Sequence, residues 1–373
     1  MDKNNAIIIP EVFGELPICD FVPQTAIVLS KSNPVYIYFT NFPKKRFTKN
    51  IIEKSKNIYY CYPREIFPFI RFSFVRYFNN QFSFLIINIY CSLKYSSKPI
   101  FWFFYPQLVN LIKLPIKPQK IVYDIVDNFT SPIFKDNQKL KSQKKYLLDH
   151  ADIVTSISNS LIKISKKISP KTKIHLVPQG FNVQKSISIN PNLDRIKKIP
   201  NKVGFIGGIG NRLDYKLLLN LIPTTLNINY IFVGPISIDR NSAQKPVNKL
   251  TKKLFSFPNV YHIDTVAKNQ IFQFIQTFDI GIIPYDIDQE FNKYCYPMKL
   301  FEYFSAGKPV IATPIEELKK FPNFVKIGSN PLEWKKHILE TLKNFPPHFQ
   351  TQAKKLAKQN SWQNKINQTT SFF

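Results

Sequence analysis

From Lys202 to Phe345, short β-branched runs alternate with helical stretches, and no other feature of the chain limits its fold so tightly. Lys202–Ile206, Asn229–Val233, Asn259–Ile263, Asp279–Pro284, Val310–Thr313 and Val325–Ile327 read as strands. Leu213–Ile222, Asn241–Phe255, Lys268–Phe278, a helix carrying Lys299, Glu316–Phe321 and Leu332–Phe345 read as the helices that follow them in turn. A helix after each strand returns the chain to the edge where the strand began, so successive strands run parallel. The pattern predicts an α/β fold with a doubly wound parallel sheet.

The first half repeats the alternation less regularly. Strands are expected at Val35–Thr40, Ile58–Cys61, Pro99–Phe104, Ile121–Val126, Asp152–Ser156 and Lys173–Val177, and helices at Pro23–Ser32, Asp136–His150 and Asn159–Ile168. Residues 182–200 lose periodicity and end in proline. A chain of 373 residues suits two domains, placed here at 1–185 and 201–345, with a linker at 186–200 and a weakly helical tail at 346–373.

The richest segment chemically runs from Pro297 to Thr313. Proline at the first turn opens a short helix, Gly307 closes it, and a β-branched strand follows. Lys299 stands near the helix start, where the macrodipole disfavours a cation unless an anion meets it. Glu302 lies three residues on, on the same face. A cation with free backbone amides makes a phosphate cradle, and a carboxylate one turn away can accept from ribose hydroxyls. The pair suits a nucleotide diphosphate; the plain alternative is a solvated surface pair of little energetic weight.

A second segment, Gly204-Phe-Ile-Gly-Gly-Ile-Gly-Asn-Arg-Leu-Asp-Tyr215, follows a strand and opens a helix. Gly207 and Gly208 let backbone N–H groups approach a ligand, Asn211 can cap the helix, and Arg212 would project toward an anion at its start. Leu213 stands where a GxGxxG fingerprint needs its third glycine, so NAD is weakly supported.

The run YPMKLFEYFSAGKPVIAT and the segment GGIGNRLDYKLL resemble the donor motifs of GT-B glycosyltransferases, specifically the family 4-like branch of bacterial teichuronic-acid and exopolysaccharide sugar transferases. The resemblance implies two Rossmann-like doubly wound parallel-sheet domains facing a cleft, and sugar transfer from a UDP- or GDP-linked donor with no further cofactor. It implies that Gly207, Gly208 and Arg212 meet the pyrophosphate with Lys299, and that Glu302 holds the ribose. Enzymes of this branch are generally retaining, and a final helix often returns to the first domain. The family's second acidic residue, eight positions before the glutamate, is Tyr294 here; Asn292 or Tyr294 would then contact the sugar.

The segment KIVYDIVDNFT resembles the family's YD.VD.F, at the cleft edge of the first sheet. Asp127 is the candidate to orient or deprotonate the acceptor hydroxyl, with Asp124 as a buried structural alternative. ADIVTSISNSL and LVPQGFN also match family segments, with Gln179 in place of an asparagine; Ser158 is read first as a helix cap. Asp286-Ile-Asp288 spells DxD, but Lys299 and Arg212 can neutralise a diphosphate, so no metal is expected.

Charge narrows the partners. There are 52 Lys and Arg against 24 Asp and Glu, a net +28, spread along the chain without a compact basic block, so nucleic acid is not the expected partner. The excess, spread among many Asn, Ile, Phe and Tyr, reads as the compositional bias of A/T-rich codons, with or without attraction to an anionic membrane surface. Arg64 to Phe82 alternates arginines with aromatics; it is read first as a core helix and second as an interfacial surface for a lipid-linked or glycan acceptor. Four scattered cysteines without CxxC and the lack of a signal-like N-terminus point to the cytoplasm, with peripheral attachment at the inner face of the plasma membrane. A GT-B nucleotide-sugar epimerase is an alternative that the five scattered histidines argue against. A basic, non-catalytic binding module is another.

Overall fold

The computed structural model describes residues 5–12, 21–41, 50–131, 137–182, 189–236, 247–344 and 348–373. The chain divides into two compact units, residues 1–180 with 362–373, and residues 181–361.

The first unit holds a sheet of eight strands: β1 (Ile7–Glu11), β2 (Val35–Phe39), β3 (Ile51–Ser55), β4 (Ile58–Cys61), β5 (Ile100–Phe103), β6 (Lys120–Ile125), β7 (Ile153–Ser156) and β8 (His175–Leu176). Their order is β3-β4-β2-β1-β5-β6-β7-β8. Among the described strands of this sheet, only the β3–β4 hairpin is antiparallel. β1, β2 and β5 are buried along their whole length, as strands covered by helices on both faces must be. Two strands lie outside the sequence expectation. β1 continues the apolar run of the N-terminal segment, and β3 is a largely exposed edge strand of mixed polarity, which leaves no clear period.

Helices α1 (Phe21–Leu29), α2 (Ser73–Lys94), α3 (Asn137–His150) and α4 (Asn159–Ile168) accompany this sheet. Ser158 caps α4, its Oγ accepting from the Leu161 amide at 3.1 Å. The first reading of the Arg64–Phe82 stretch, a core helix, is corrected: α2 buries one face, but Phe74 is 61% exposed and Phe78 49% exposed.

The second unit holds β9 (Lys202–Ile206), β10 (Asn229–Val233), β11 (Val260–Ile263), β12 (Ile280–Ile283), β13 (Val310–Ala312) and β14 (Val325–Ile327), all parallel, in the order β11-β10-β9-β12-β13-β14. The order reverses between β9 and β12. In such sheets the loops leaving the two neighbouring strands diverge there, and ligands bind at the strands' C-terminal ends.

Around the sheet lie α5 (Leu193–Lys197), α6 (Tyr215–Leu221), α7 (Val247–Leu254), α8 (Ile271–Thr277), α9 (Glu290–Lys293), α10 (Lys299–Ser305), α11 (Pro331–Lys343) and α12 (Phe349–Gln359). Three expectations change here. The proposed linker contains α5, whose Leu193 and Ile196 are buried in this unit's core. The expected helix at Glu316–Phe321 is a single 3₁₀ turn, Leu318–Lys320. Asp214, not Asn211, is the N-cap of α6, its carboxylate accepting from the Leu217 amide at 2.8 Å. The start of the helix expected at Asn241 lies outside the described residues.

The tail is two helices that part company. α12 packs on α10 in the second unit, while α13 (Trp362–Thr370) belongs to the first. There the Lys365 ammonium meets Asp124 at 2.9 Å, both side chains being almost fully buried, and Thr155 donates to the same carboxylate at 3.0 Å. Asp124 is thus the structural partner, tying β6 to a helix 241 residues away in sequence.

Candidate active site

Leu300, Phe301 and Phe304 bury α10 in the core of the second unit, and Tyr303 adds polar bonds to the sheet. Tyr303 is fully buried over Gly281 of β12, where a Cβ would come within 2.5 Å of its ring. Its hydroxyl accepts from the Ile206 amide at 3.2 Å and lies 3.2 Å from the carbonyls of Gly204 and Ile282. One phenol therefore bonds to both strands at the reversal point, and the neighbouring residues of α10 are placed over the ends of β9 and β12. The helix ends as expected: Gly307 adopts φ +71°, and the Lys308 amide returns to the Tyr303 carbonyl at 2.9 Å.

Lys299, on the first turn of α10, extends over the turn after β9. Gly207 there has φ +125°, and a Cβ on it would lie 2.7 Å from both Cε and Nζ of Lys299. Gly234, after β10, has φ +141° and packs against the Gly207 carbonyl, which a Cβ would approach to 2.4 Å. Two glycines in a conformation that side chains resist, stacked beside a lysine, leave backbone open to a ligand. Nζ of Lys299 donates to the Tyr285 hydroxyl at 2.8 Å and lies 5.4 Å from the centre of the Phe205 ring.

Arg212 meets the same tyrosine, its guanidinium 4.4 Å from the Tyr285 ring centre and 5.0 Å from that of Phe291. Tyr285, at the mouth of β12, therefore gathers both cations. The sequence reading missed it because a lone tyrosine after a strand carries no motif. Asn292 is corrected as a sugar contact: it is fully buried, accepts from Arg212 Nε at 2.8 Å and donates to the Asp286 carbonyl at 2.9 Å. It aims the arginine. Tyr294 is partly exposed just beyond α9, and Gly208 is exposed at the turn.

Glu302 is partly buried one turn along from Lys299. Burial pushes its carboxyl above the usual carboxylate range, and Lys299 and then Lys268 pull it back. Lys268, in the turn before α8, is itself pushed below the ordinary lysine range by burial, with Glu302 opposing. The carboxylate thus lies in the field of two lysines, the second of which sequence spacing did not reveal. One expectation fails here. The amides of Leu300, Phe301 and Glu302 are not free for phosphate, since they bond to the carbonyls of Pro297 and Met298 at 3.0–3.3 Å. The anion-binding character of this corner rests on side chains and on the glycine turn.

Asp286 has both carboxylate oxygens engaged within its own loop, by the Asp288 amide at 3.1 Å and Gln289 Nε2 at 3.0 Å. Among the described residues, no group of three or more His, Cys, Asp or Glu side chains is placed to hold a metal ion.

In the first unit, Asp127 follows β6 and is partly buried, with Oδ1 accepting from the Asn128 amide at 2.9 Å. Lys144 of α3 is 1% exposed, its Nζ has no hydrogen-bond partner among the described residues, and burial pushes it down to about 8 despite the opposing field of Asp127.

Comparison with known proteins gives the class. Residues 200–344 match the family described as glycosyl transferases group 1. Over the whole chain the fold is that of sucrose-phosphate synthase from Thermosynechococcus elongatus, with TM-score 0.76, 14% identity, and coverage of 99% of this chain and 98% of that one. Anabaena HepE, solved in complex with UDP and glucose, matches with TM-score 0.69 at 11% identity, again over 99% and 98%. The fold is thus the GT-B one, and the match to a glycosyltransferase family lies in the second unit. Among curated proteins it is similar to the putative teichuronic acid biosynthesis glycosyltransferase TuaH of Bacillus subtilis, 26% identical over 272 residues. That alignment covers 69% of this chain and 66%, just under two thirds, of the relative.

Proposed function

We propose that this protein transfers a sugar from a nucleoside-diphosphate sugar, UDP- or GDP-linked, to a glycan or lipid-linked acceptor in cell-envelope polysaccharide synthesis. The observation that carries the reading is the corner where Lys299, Arg212 and Gly207 converge around Tyr285 at the strand reversal, with Glu302 one turn away. Breaking the bond between anomeric carbon and phosphate leaves negative charge growing on the diphosphate. Two cations held in place before the reaction stabilise that charge without reorganising. Glu302 accepts from the ribose hydroxyls and fixes the nucleotide's position, on which transfer geometry depends.

The protein itself supplies the charge that a divalent metal would otherwise bring, so the reaction is read as metal-independent. Retention of anomeric configuration rests on the family resemblance alone. Asp127 is the residue read as orienting or deprotonating the acceptor, and the place of work is the cytoplasmic face of the membrane. The solved relative with UDP and glucose supports a nucleotide-sugar donor. Calorimetric titration with UDP, GDP and their sugars tests the reading: one nucleotide diphosphate binds in a manner that Lys299→Ala weakens. Absence of binding by any of them overturns it.

A further inference from the structure

A helix on the surface of a water-soluble domain ordinarily turns its polar residues outward. α2 departs from this: Val75, Phe84, Ile87 and Cys91 are buried, yet polar residues share the inner face and apolar ones fill the outer. Its buried face carries Asn79, Ser83 and Asn88, all at 3% exposure or less. Its outer face carries Phe74, Phe78, Phe82, Ile86, Ile89 and Leu93, each more than a third exposed and Leu93 77% exposed. Their spacing of three and four residues makes one stripe along the helix, about 33 Å for 22 residues.

The inward polar groups have a definite task. Asn79 Oδ1 accepts from the amides of Ile66 and Phe67 at 3.0 and 2.7 Å, and its Nδ2 donates to the Phe67 carbonyl at 2.9 Å. Ser83 Oγ accepts from the Arg64 amide at 2.7 Å. They fasten residues 64–72 to the helix in a shape that turns more aromatic surface outward. Phe69 is held at φ +68°, a costly conformation for a bulky side chain, and is 64% exposed. The Arg71 guanidinium lies 4.9 Å from the Phe72 ring centre, and Arg76 clamps the loop through the carbonyls of Ile70 and Arg71 at 3.0 Å each.

We infer that this face of α2, with the loop that precedes it, docks the protein on an anionic lipid bilayer. The partner follows from charge and shape. α2 contains no acidic residue; from Arg64 to Lys94 four cations, Arg64, Arg71, Arg76 and Lys94, face one carboxylate, Glu65, and the whole chain carries +28. Contiguous apolar surface of this extent marks an interaction site. Aromatic and aliphatic side chains flanked by arginines match the boundary between headgroups and acyl chains. No helix among the described residues is long and apolar enough to cross a membrane, so the helix lies along the surface. The inference uses the proposed function only for the acceptor's location; the surface itself is independent of it.

The test is flotation of the full chain with phosphatidylcholine vesicles, with and without phosphatidylglycerol, at low and high salt. Wild type is expected to float with the anionic vesicles at low salt and to lose binding in high salt or without the anionic lipid. Phe74→Ser/Phe78→Ser/Leu93→Ser, all exposed positions, should lower the bound fraction by about tenfold or more while keeping wild-type circular dichroism and nucleotide affinity. Wild type remaining unbound at low salt overturns the proposal, as does a triple variant that floats equally well. Concentration-dependent dimerisation abolished by the same variant, without flotation, would assign the face to a second copy. Nucleotide binding with no flotation would sink this inference alone; flotation without nucleotide binding would sink the proposed function alone.

Discussion

The ammonium of Lys299 occupies the space that a side chain on Gly207 would fill: a Cβ there would lie 2.7 Å from Nζ. The glycine's φ of +125° and the lysine's reach are two parts of one device, since the turn must stay bare for the cation to cross it.

Gly207→Ala should therefore act as a lysine mutation. The new methyl displaces Lys299 and strains the turn by about 1–3 kcal/mol. Both Gly207→Ala and Lys299→Ala are expected to weaken nucleotide-diphosphate binding at least about tenfold, the loss of one charge-assisted contact. Calorimetry checks this, and near-wild-type affinity in both variants would remove the basis for the site.

Glu302→Gln should separate stability from function. Its carboxyl is raised above the usual range by burial, so ionisation at neutral pH costs the folded state. That cost is relieved as pH falls through the folded pKa toward the unfolded value near 4.3. The glutamine variant is expected to melt no lower than wild type at pH 7, to lose that advantage below about pH 4, and to bind the nucleotide diphosphate more weakly. Thermal melts at both pH values, alongside titration, decide it; unchanged affinity would take the ribose role from Glu302.

Lys365 and Asp124 form a buried pair that ties the last helix to β6. Lys365→Met alone strands a carboxylate and should cost about 3–5 kcal/mol, whereas Lys365→Met with Asp124→Asn should recover much of it. Urea unfolding of the two variants measures the difference, and equal losses would show that the pair contributes packing alone.

Lys144 is buried, without a hydrogen-bond partner among the described residues, and pushed down to about 8, so it releases its proton more readily in the folded chain than in the unfolded one. Stability from this group rises with pH between about 8 and 10.4, where only the unfolded chain still holds the proton. Lys144→Met should stabilise the protein at pH 7 by something on the order of 3 kcal/mol, with the gain gone above about pH 10. A variant less stable than wild type at pH 7 would mean that the ammonium has a partner.

The proposed transfer should persist in excess EDTA if Lys299 and Arg212 supply the positive charge, Asp286 being engaged within its own loop. Loss of turnover on chelation, restored by manganese, would instead make Asp286 and Asp288 ligands.

Much of the fold is written in local pattern. Period and punctuation from Lys202 to Ile327 mark all six strands of the second sheet, because each strand is a short apolar run closed by a turn. Gly307 ends α10 by the left-handed geometry that glycine permits at no steric cost. Lys299, Glu302 and Arg212 stand out because charged residues among apolar ones on a short helix or turn need a reason. β3 escaped notice because an exposed edge strand need not alternate, and α5 because five residues are too few to show a period.

What the sequence by itself determined is the element order and the chemical types available to the site, since both depend on neighbours within a few residues. The tertiary structure alone decided which distant groups meet. Tyr285 gathers Arg212 and Lys299, Tyr303 anchors α10 to two strands, Asn292 turns inward to aim the arginine, and Lys365 reaches Asp124 across 241 positions. The same holds for the outer face of α2, where an aromatic helical period is compatible with core or with surface. Only the burial of Asn79, Ser83 and Asn88 on the opposite side shows which way it turned. Side-chain contact between residues far apart depends on strand order and helix docking, and no local signal encodes either.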